Sequence, residues 1–225
     1  MKCIASSYSN GKELKKSLNV WCTEHMRVEM NEKQQESLDK IRDAAEHFVK
    51  LNIEYWKEYS SFDDGKFWVV VLMLVVPLVI LFLFIDRRKM LLLGFYGLNY
   101  HIWFAYVNSA GIRMGLWEYP YEILPQLPSF ALDASFVPIC YILVYQWTLN
   151  RKKNFYLYSI LLSAALAFMF KPILVMHHFF RMFKGINYLH LFIFYVLFFV
   201  VSKIITNVFI KLEKTNFGSM RKLKR

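Results

Sequence analysis

Between Phe67 and Ile85 the chain runs for nineteen residues, FWVVVLMLVVPLVILFLFI, without one charged side chain. At ~1.5 Å of rise per residue such a run spans roughly 28 Å, about the thickness of a bilayer's hydrocarbon core. Asp86-Arg87-Arg88-Lys89 follows at once. An uncharged run of this length with a basic stop behind it predicts a transmembrane helix. Everything before it is polar and helix-forming, and everything after it is mostly apolar.

The charge is unevenly divided. Residues 1–66 hold 11 Lys/Arg against 12 Asp/Glu, whereas residues 67–225 hold 17 against 5. The net charge of +11 therefore resides in the apolar part. Basic residues collecting on the cytoplasmic side of membrane helices account for this. No base-reading motif accompanies the charge, so nucleic acid is not expected as a partner. With 56% hydrophobic and 18% aromatic residues, the composition fits a multi-span membrane protein with one soluble appendage.

Residues 1–29 show no sustained periodicity and support a short solvated helix at most. No apolar signal-peptide core precedes the first span, so Phe67–Ile85 would itself serve as the targeting signal. Met26 and Met30 are alternative starts to Met1. Cys3 and Cys22 could pair if this segment is extracytoplasmic, and Cys140 reads as a small core residue.

Within the soluble segment 1–66, an amphipathic helix is predicted over about residues 31–60. Leu38, Ile41, Ala45, Phe48, Asn52, Tyr55 and Tyr59 follow a three-four spacing and form one stripe. The stripe could seed a homodimeric coiled coil, or dock on the bilayer or on the chain's own membrane domain. Trp56, close to the first span, reads as an interfacial anchor. Ser60–Gly65 would break the helix.

Five spans are predicted: 67–85, 90–110, 130–149, 155–176 and 188–210, followed by a basic tail, 211–225. The second is interrupted by Asn99, Tyr100, His101, Asn108 and Ser109, side chains that turn toward other helices rather than lipid. Three prolines, Pro120, Pro125 and Pro128, forbid a regular helix in the segment after it. By alternation Arg87–Lys89, Arg151–Lys153 and the tail share one side, which the positive-inside rule makes cytoplasmic. The N-terminus then lies outside and the C-terminus inside. Arg181 and Lys184, in the loop 177–187, count against this scheme and are outvoted.

Leu116-Trp117-Glu118-Tyr119-Pro120 is the most distinctive stretch. It could rim an outer-leaflet polar cluster made of Asn108, Arg113, Glu118, Asp133 and Lys171. The plainer reading is an interface loop that orients two helices, with Trp117 and Tyr119 at headgroup level. Lys171 is expected to pair with Asp133 or Glu118, since a lone charge at its depth is costly. His177 and His178 point about 100° apart on a helix and make a poor metal pair. Ser159 and Ser163 lack the base and the turn of a serine nucleophile. No catalytic residue, metal site or cofactor motif is identified.

A set of blocks in order carries a resemblance: Ile53-Glu54-Tyr55-Trp56, Ile85-Asp86-Arg87-Arg88-Lys89, Gly115-Leu116-Trp117-Glu118-Tyr119-Pro120, Val137-Pro138-Ile139 with Tyr145-Gln146, and Pro172. Over roughly residues 40–212 the chain resembles a family of small uncharacterised multi-span membrane proteins of endospore-forming, low-GC Gram-positive bacteria. The resemblance implies a bacterial plasma-membrane protein and no particular activity. A weaker similarity is to carotenoid (lycopene) cyclase-like membrane domains, whose chemistry rests on membrane carboxylic acids. Asn108 and Lys171 stand where those domains carry acids, which removes the proton donor.

The expected architecture is all-α: a bundle of about five transmembrane helices with an N-terminal extracytoplasmic amphipathic helix. The expected function is that of a non-enzymatic membrane component, a sensor, scaffold or assembly partner. The alternative is a membrane enzyme or small-solute carrier with an outer-leaflet polar site. The expected partners are the lipid bilayer and a membrane protein or a second copy of the chain.

Overall fold

The computed structural model describes residues 31–223, with side chains through Thr215. The readings of Cys3, Cys22, the alternative starts and the helix before residue 30 lie outside the described residues. Contacts divide the chain into two units, Met1–Phe48 and Val49–Arg225.

Helix α1 (Glu32–Tyr59) begins in the first unit. There Leu38, Ile41 and Phe48 are exposed, so the apolar stripe is uncovered. Charged (i,i+3) and (i,i+4) pairs, Arg42–Asp39 and Lys40–Glu36, line its other faces, each worth only a few tenths of a kcal/mol.

In the second unit, α1 ends at Tyr59 and α2 (Gly65–Phe84) starts behind Asp64, whose side chain accepts from the Lys66 amide. That is an ordinary N-cap, satisfying one of the four free amides at a helix start. Pro77 lies inside α2, and a neighbouring carbonyl, Leu74 O, accepts from Ser135 Oγ at 2.6 Å. A short turn, Arg87–Lys89, leads to α3 (Met90–Arg113). Gly115, at φ 65°, ends α3: the Leu116 amide donates to Gly111 O, closing the helix with a residue free to take the left-handed conformation. Then come strand β1 (Trp117–Glu118), α4 (Leu132–Arg151), α5 (Phe155–Met176), strand β2 (Arg181–Met182) and α6 (Tyr188–Leu223).

The described chain is all-α apart from one two-residue antiparallel pair, with Trp117 opposite Met182 and Glu118 opposite Arg181. The sequence did not announce this pair, because two-residue strands leave no periodicity. Four helices, α2, α4, α5 and α6, are long and apolar enough to cross a membrane. Helix α3 has the length, 24 residues, but its polar side chains keep it below that mark. The segment after Ile210 read as a tail is helical through Leu223.

Both α4 and α5 contain a π-helical turn, Leu132–Phe136 and Leu166–Phe170, each just ahead of a proline, Pro138 and Pro172. Proline has no amide to donate, and the wider turn accommodates the missing bond. The two turns meet through stacked Phe136 and Phe170 rings, 4.5 Å apart. The core beside them is aromatic: Tyr100 stacks on Tyr141 at 4.3 Å, and Phe104 and Tyr100 meet Phe198 edge-on. Such ring pairs add about 0.5–1.5 kcal/mol each beyond their burial. At Gly97 a Cβ would run into the Ile142 side chain, so the packing of α4 on α3 uses the space that glycine leaves.

Candidate functional site

The polar cluster lies where α3, α4 and α5 meet the segment that follows α3. Asn108 comes from the inner face of α3. Asp133 sits in the π turn of α4, and Lys171 follows directly on the π turn of α5. The wider turns thus present the two charged residues. Ser129, at φ 62°, precedes α4, and its carbonyl accepts from the amides of Leu132 and Asp133.

Asn108 is the hub. Its Oδ1 accepts from Trp117 Nε1 at 2.7 Å and from Tyr119 OH at 3.2 Å. Its Nδ2 donates to both Asp133 carboxylate oxygens at 2.9 Å and to Ser129 Oγ. An indole N–H can only donate, so Trp117 fixes which way the amide faces. Ser129 Oγ donates to Asp133 Oδ2 at 2.8 Å, and His101 Nδ1 meets the Asp133 carbonyl at 2.7 Å. Lys171 Nζ donates to Tyr119 OH at 3.1 Å and lies 3.6 Å from the Phe180 ring centroid. Every donor along the line Lys171–Tyr119–Asn108–Asp133 points the same way, from ammonium toward carboxylate. Burial, with Asp133 beside it, pushes the Tyr119 phenol well above its usual range, which keeps the hydroxyl protonated and able to donate.

Lys171 and Asp133 do come together, but not as the expected contact pair. No Lys171 salt bridge within 4 Å exists among the described residues. A phenol and an amide stand between the charges, because the loop bearing Tyr119 enters the space a direct pair would need. Glu118 is not Lys171's partner either. It pairs with Arg181 across the strand pair at 2.9 Å, at the surface. Arg113 is exposed, with no ion pair or side-chain hydrogen bond among the described residues. Of the five predicted cluster residues, Asn108, Asp133 and Lys171 therefore converge, while Arg113 and Glu118 stay apart. Trp117 and Tyr119, read as interface aromatics, are buried members of the network.

Trp117 is seated on α3. A Cβ at Gly111 would lie 2.0 Å from its ring, so only glycine leaves room for the indole. Trp56 Nε1 donates to Glu122 O at 2.9 Å, Ser60 Oγ exchanges bonds with the Glu122 backbone, and Asn52 Nδ2 donates to Pro125 O. The end of α1 thus holds the far part of the same loop, and Lys66 Nζ reaches Tyr121 OH at 2.8 Å. Asn52, the polar residue in the apolar stripe, has its explanation in that contact. Burial pushes the Glu122 carboxyl up to about 8.

Beside the network lies a cavity of about 20 Å³, lined by Asn108, Trp117, Lys171, Phe180, Tyr195 and neighbouring aromatics. That is room for about one water. Among the described residues no group of three His, Cys, Asp or Glu converges. Ser129 and Phe180 belong to the cluster and were not singled out from the sequence; His101, read there only as a polar interruption of the second span, belongs to it as well. No family model, no curated protein and no solved structure matches the chain.

Proposed function

We propose that this chain is a non-enzymatic component of a bacterial plasma membrane, crossing it five times with the N-terminus outside and the C-terminus in the cytoplasm. It acts as a scaffold or assembly partner. The observation that carries the reading is that the converged polar groups spend their hydrogen bonds on one another and leave space for about one water. An active site of ordinary size encloses some 300–1,000 Å³. The network is also a poor proton path. Asn108 donates through nitrogen and accepts through oxygen, and a carboxamide does not readily pass a proton from one to the other.

Helix α3 counts as the fifth span in this reading: Tyr100 and Asn108 are buried in the bundle and His101 bonds the Asp133 carbonyl, while Asn99 bonds Phe95 O of its own helix and Ser109 is exposed. The orientation rests on the basic groups. Lys89 bonds Asn150, and Gln146 bonds Phe84 O and the Asp86 amide, so Arg87–Lys89 and Arg151–Lys153 occupy one end of the bundle. The bacterial assignment rests on the resemblance through the LWEYP and Asp-Arg-Arg-Lys blocks. The uncovered stripe Leu38, Ile41 and Phe48 is the contact surface for a polypeptide partner.

Cysteine labelling from outside intact cells tests the topology: a cysteine at Asp64 reacts and one at Lys153 does not. The reverse pattern would overturn it. A photoreactive side chain at Ile41 should then give a discrete protein adduct, including a second copy of the chain. Adducts to lipid alone would sink the scaffold reading.

The alternative, a carrier or enzyme of a small solute, has one observation in its favour. The Tyr195 hydroxyl is buried without a partner, and Tyr195 lines the cavity beside Lys171.

A further inference from the structure

At the end of the bundle away from the LWEYP loop, a groove of about 780 Å³ runs between the Arg87–Lys89 turn with the start of α3 on one side and α6 on the other. Its walls are of two kinds. Arg87, Arg88 and Lys89 supply three cations. Leu91, Phe95 and Phe209 supply an apolar floor, with the Phe95 and Phe209 rings 4.9 Å apart. Lys89 is already engaged, with Asp86 at 3.5 Å and with Asn150. Arg87 and Arg88 are exposed and make no ion pair among the described residues. Leu91, 86% exposed, and Phe209, 57% exposed, offer apolar surface directly beside them. Glu213 lines the same groove and is the one acidic group there, while Lys211 and Lys214 lie on the adjoining face of α6.

Two unpaired guanidiniums over an apolar trough match an amphiphile with an anionic head and a hydrocarbon tail. A guanidinium forks onto two phosphate oxygens, and the tail covers surface that water would otherwise meet. The level is right for a phospholipid. The cations follow immediately on the apolar run of α2, where headgroups begin if that helix spans the bilayer. We propose that this groove is a binding site for one anionic glycerophospholipid, its phosphodiester on Arg87 and Arg88 and an acyl chain along Leu91, Phe95 and Phe209. The site is separate from the Asn108 network and stands whether or not the chain is a scaffold. It requires only that α2 and α6 cross a membrane.

The test uses the full chain reconstituted in phosphatidylcholine nanodiscs carrying a minority of phosphatidylglycerol, then released for native mass spectrometry. One phosphatidylglycerol should stay bound in preference to phosphatidylcholine. The double variant R87Q/R88Q should lower its retention about thirtyfold, the scale expected of two charges at the membrane surface. R151Q/K153Q removes two cations from the same end outside the groove and should leave retention unchanged. Glu213→Gln, which removes the repelling carboxylate, should raise it. Equal retention of the two lipids overturns the site. So does an equal loss from R151Q/K153Q, which would mean diffuse attraction, or displacement of the lipid by millimolar inorganic phosphate. Failure of the wild type to enter phosphatidylcholine discs at all would instead count against the membrane-spanning reading.

Discussion

Two lysines sit inside apolar helices of this molecule, and the chain treats them differently. Lys203 of α6 donates to Tyr145 OH at 2.8 Å and lies 4.3 Å from that ring's centroid. Lys171 of α5 donates to Tyr119 OH at 3.1 Å and lies over Phe180 and Tyr119. Ring, hydroxyl and ammonium are the same in kind. Lys203 remains half-buried, toward the basic end of the bundle. Lys171 is 2% exposed, closed over by the loop, and linked to a carboxylate through Asn108. A long side chain that can reach an interface needs only a perch. One that cannot reach it needs a partner, and here the partner is a network that also fastens the loop. Lys203 is a guest of its helix, whereas Lys171 is part of how the loop is held.

The largest expected effect follows from the hub. Asn108→Leu leaves the Trp117 N–H without a partner, the Tyr119 hydroxyl without an acceptor (Lys171 still donates to it) and part of the Asp133 carboxylate without a donor, each a buried polar group costing about 1–3 kcal/mol. A total loss of roughly 3–5 kcal/mol is expected in detergent unfolding, with new protease cleavage between Tyr121 and Ser129. Lys203→Met should cost about 1 kcal/mol or less and expose no loop. Similar losses from the two variants would erase the distinction between the two lysines.

A double-mutant cycle gives the next size. Lys171→Met with Asp133→Asn should be non-additive by about 1 kcal/mol, coupling passing through Tyr119 and Asn108 without direct contact. Lys171→Met with Glu118→Gln should be additive, because Glu118 is committed to Arg181. Additivity in both pairs would make Lys171 another Lys203.

The remaining effect is a pH dependence at the loop end. The Glu122 carboxyl, raised by burial to about 8 from 4.5, binds its proton in the folded chain over a range where the unfolded chain has lost it. Stability from this group is therefore greatest at low pH and falls as pH rises from about 4.5 to 8. Glu122→Gln should flatten the stability profile over that window and leave the variant more stable than the parent above it. An unchanged slope would show that the loop end does not seal this carboxyl from water.

Four of the five expected spans, α2, α4, α5 and α6, were legible as long apolar helices because hydropathy is a property of a local run: Phe67–Ile85 is apolar whatever its neighbours do. The break at Ser60–Gly65 and the irregular segment around Pro120, Pro125 and Pro128 were legible for a similar reason, since glycine and proline act on their own backbone. Asn108, Asp133 and Lys171 could be suspected from the sequence as polar residues in apolar company. Their arrangement could not. Whether Lys171 meets Asp133 directly or through Tyr119 turns on where the loop after α3 is held, which the two π turns and the seat Gly111 gives Trp117 help to set. The partners lie 9 to 52 residues apart in sequence, and no local pattern records such a choice. The sequence by itself determined which stretches are apolar enough to leave water; tertiary structure decided which polar groups meet, because hydrogen bonds depend on position and direction, and the transfer of apolar surface does not.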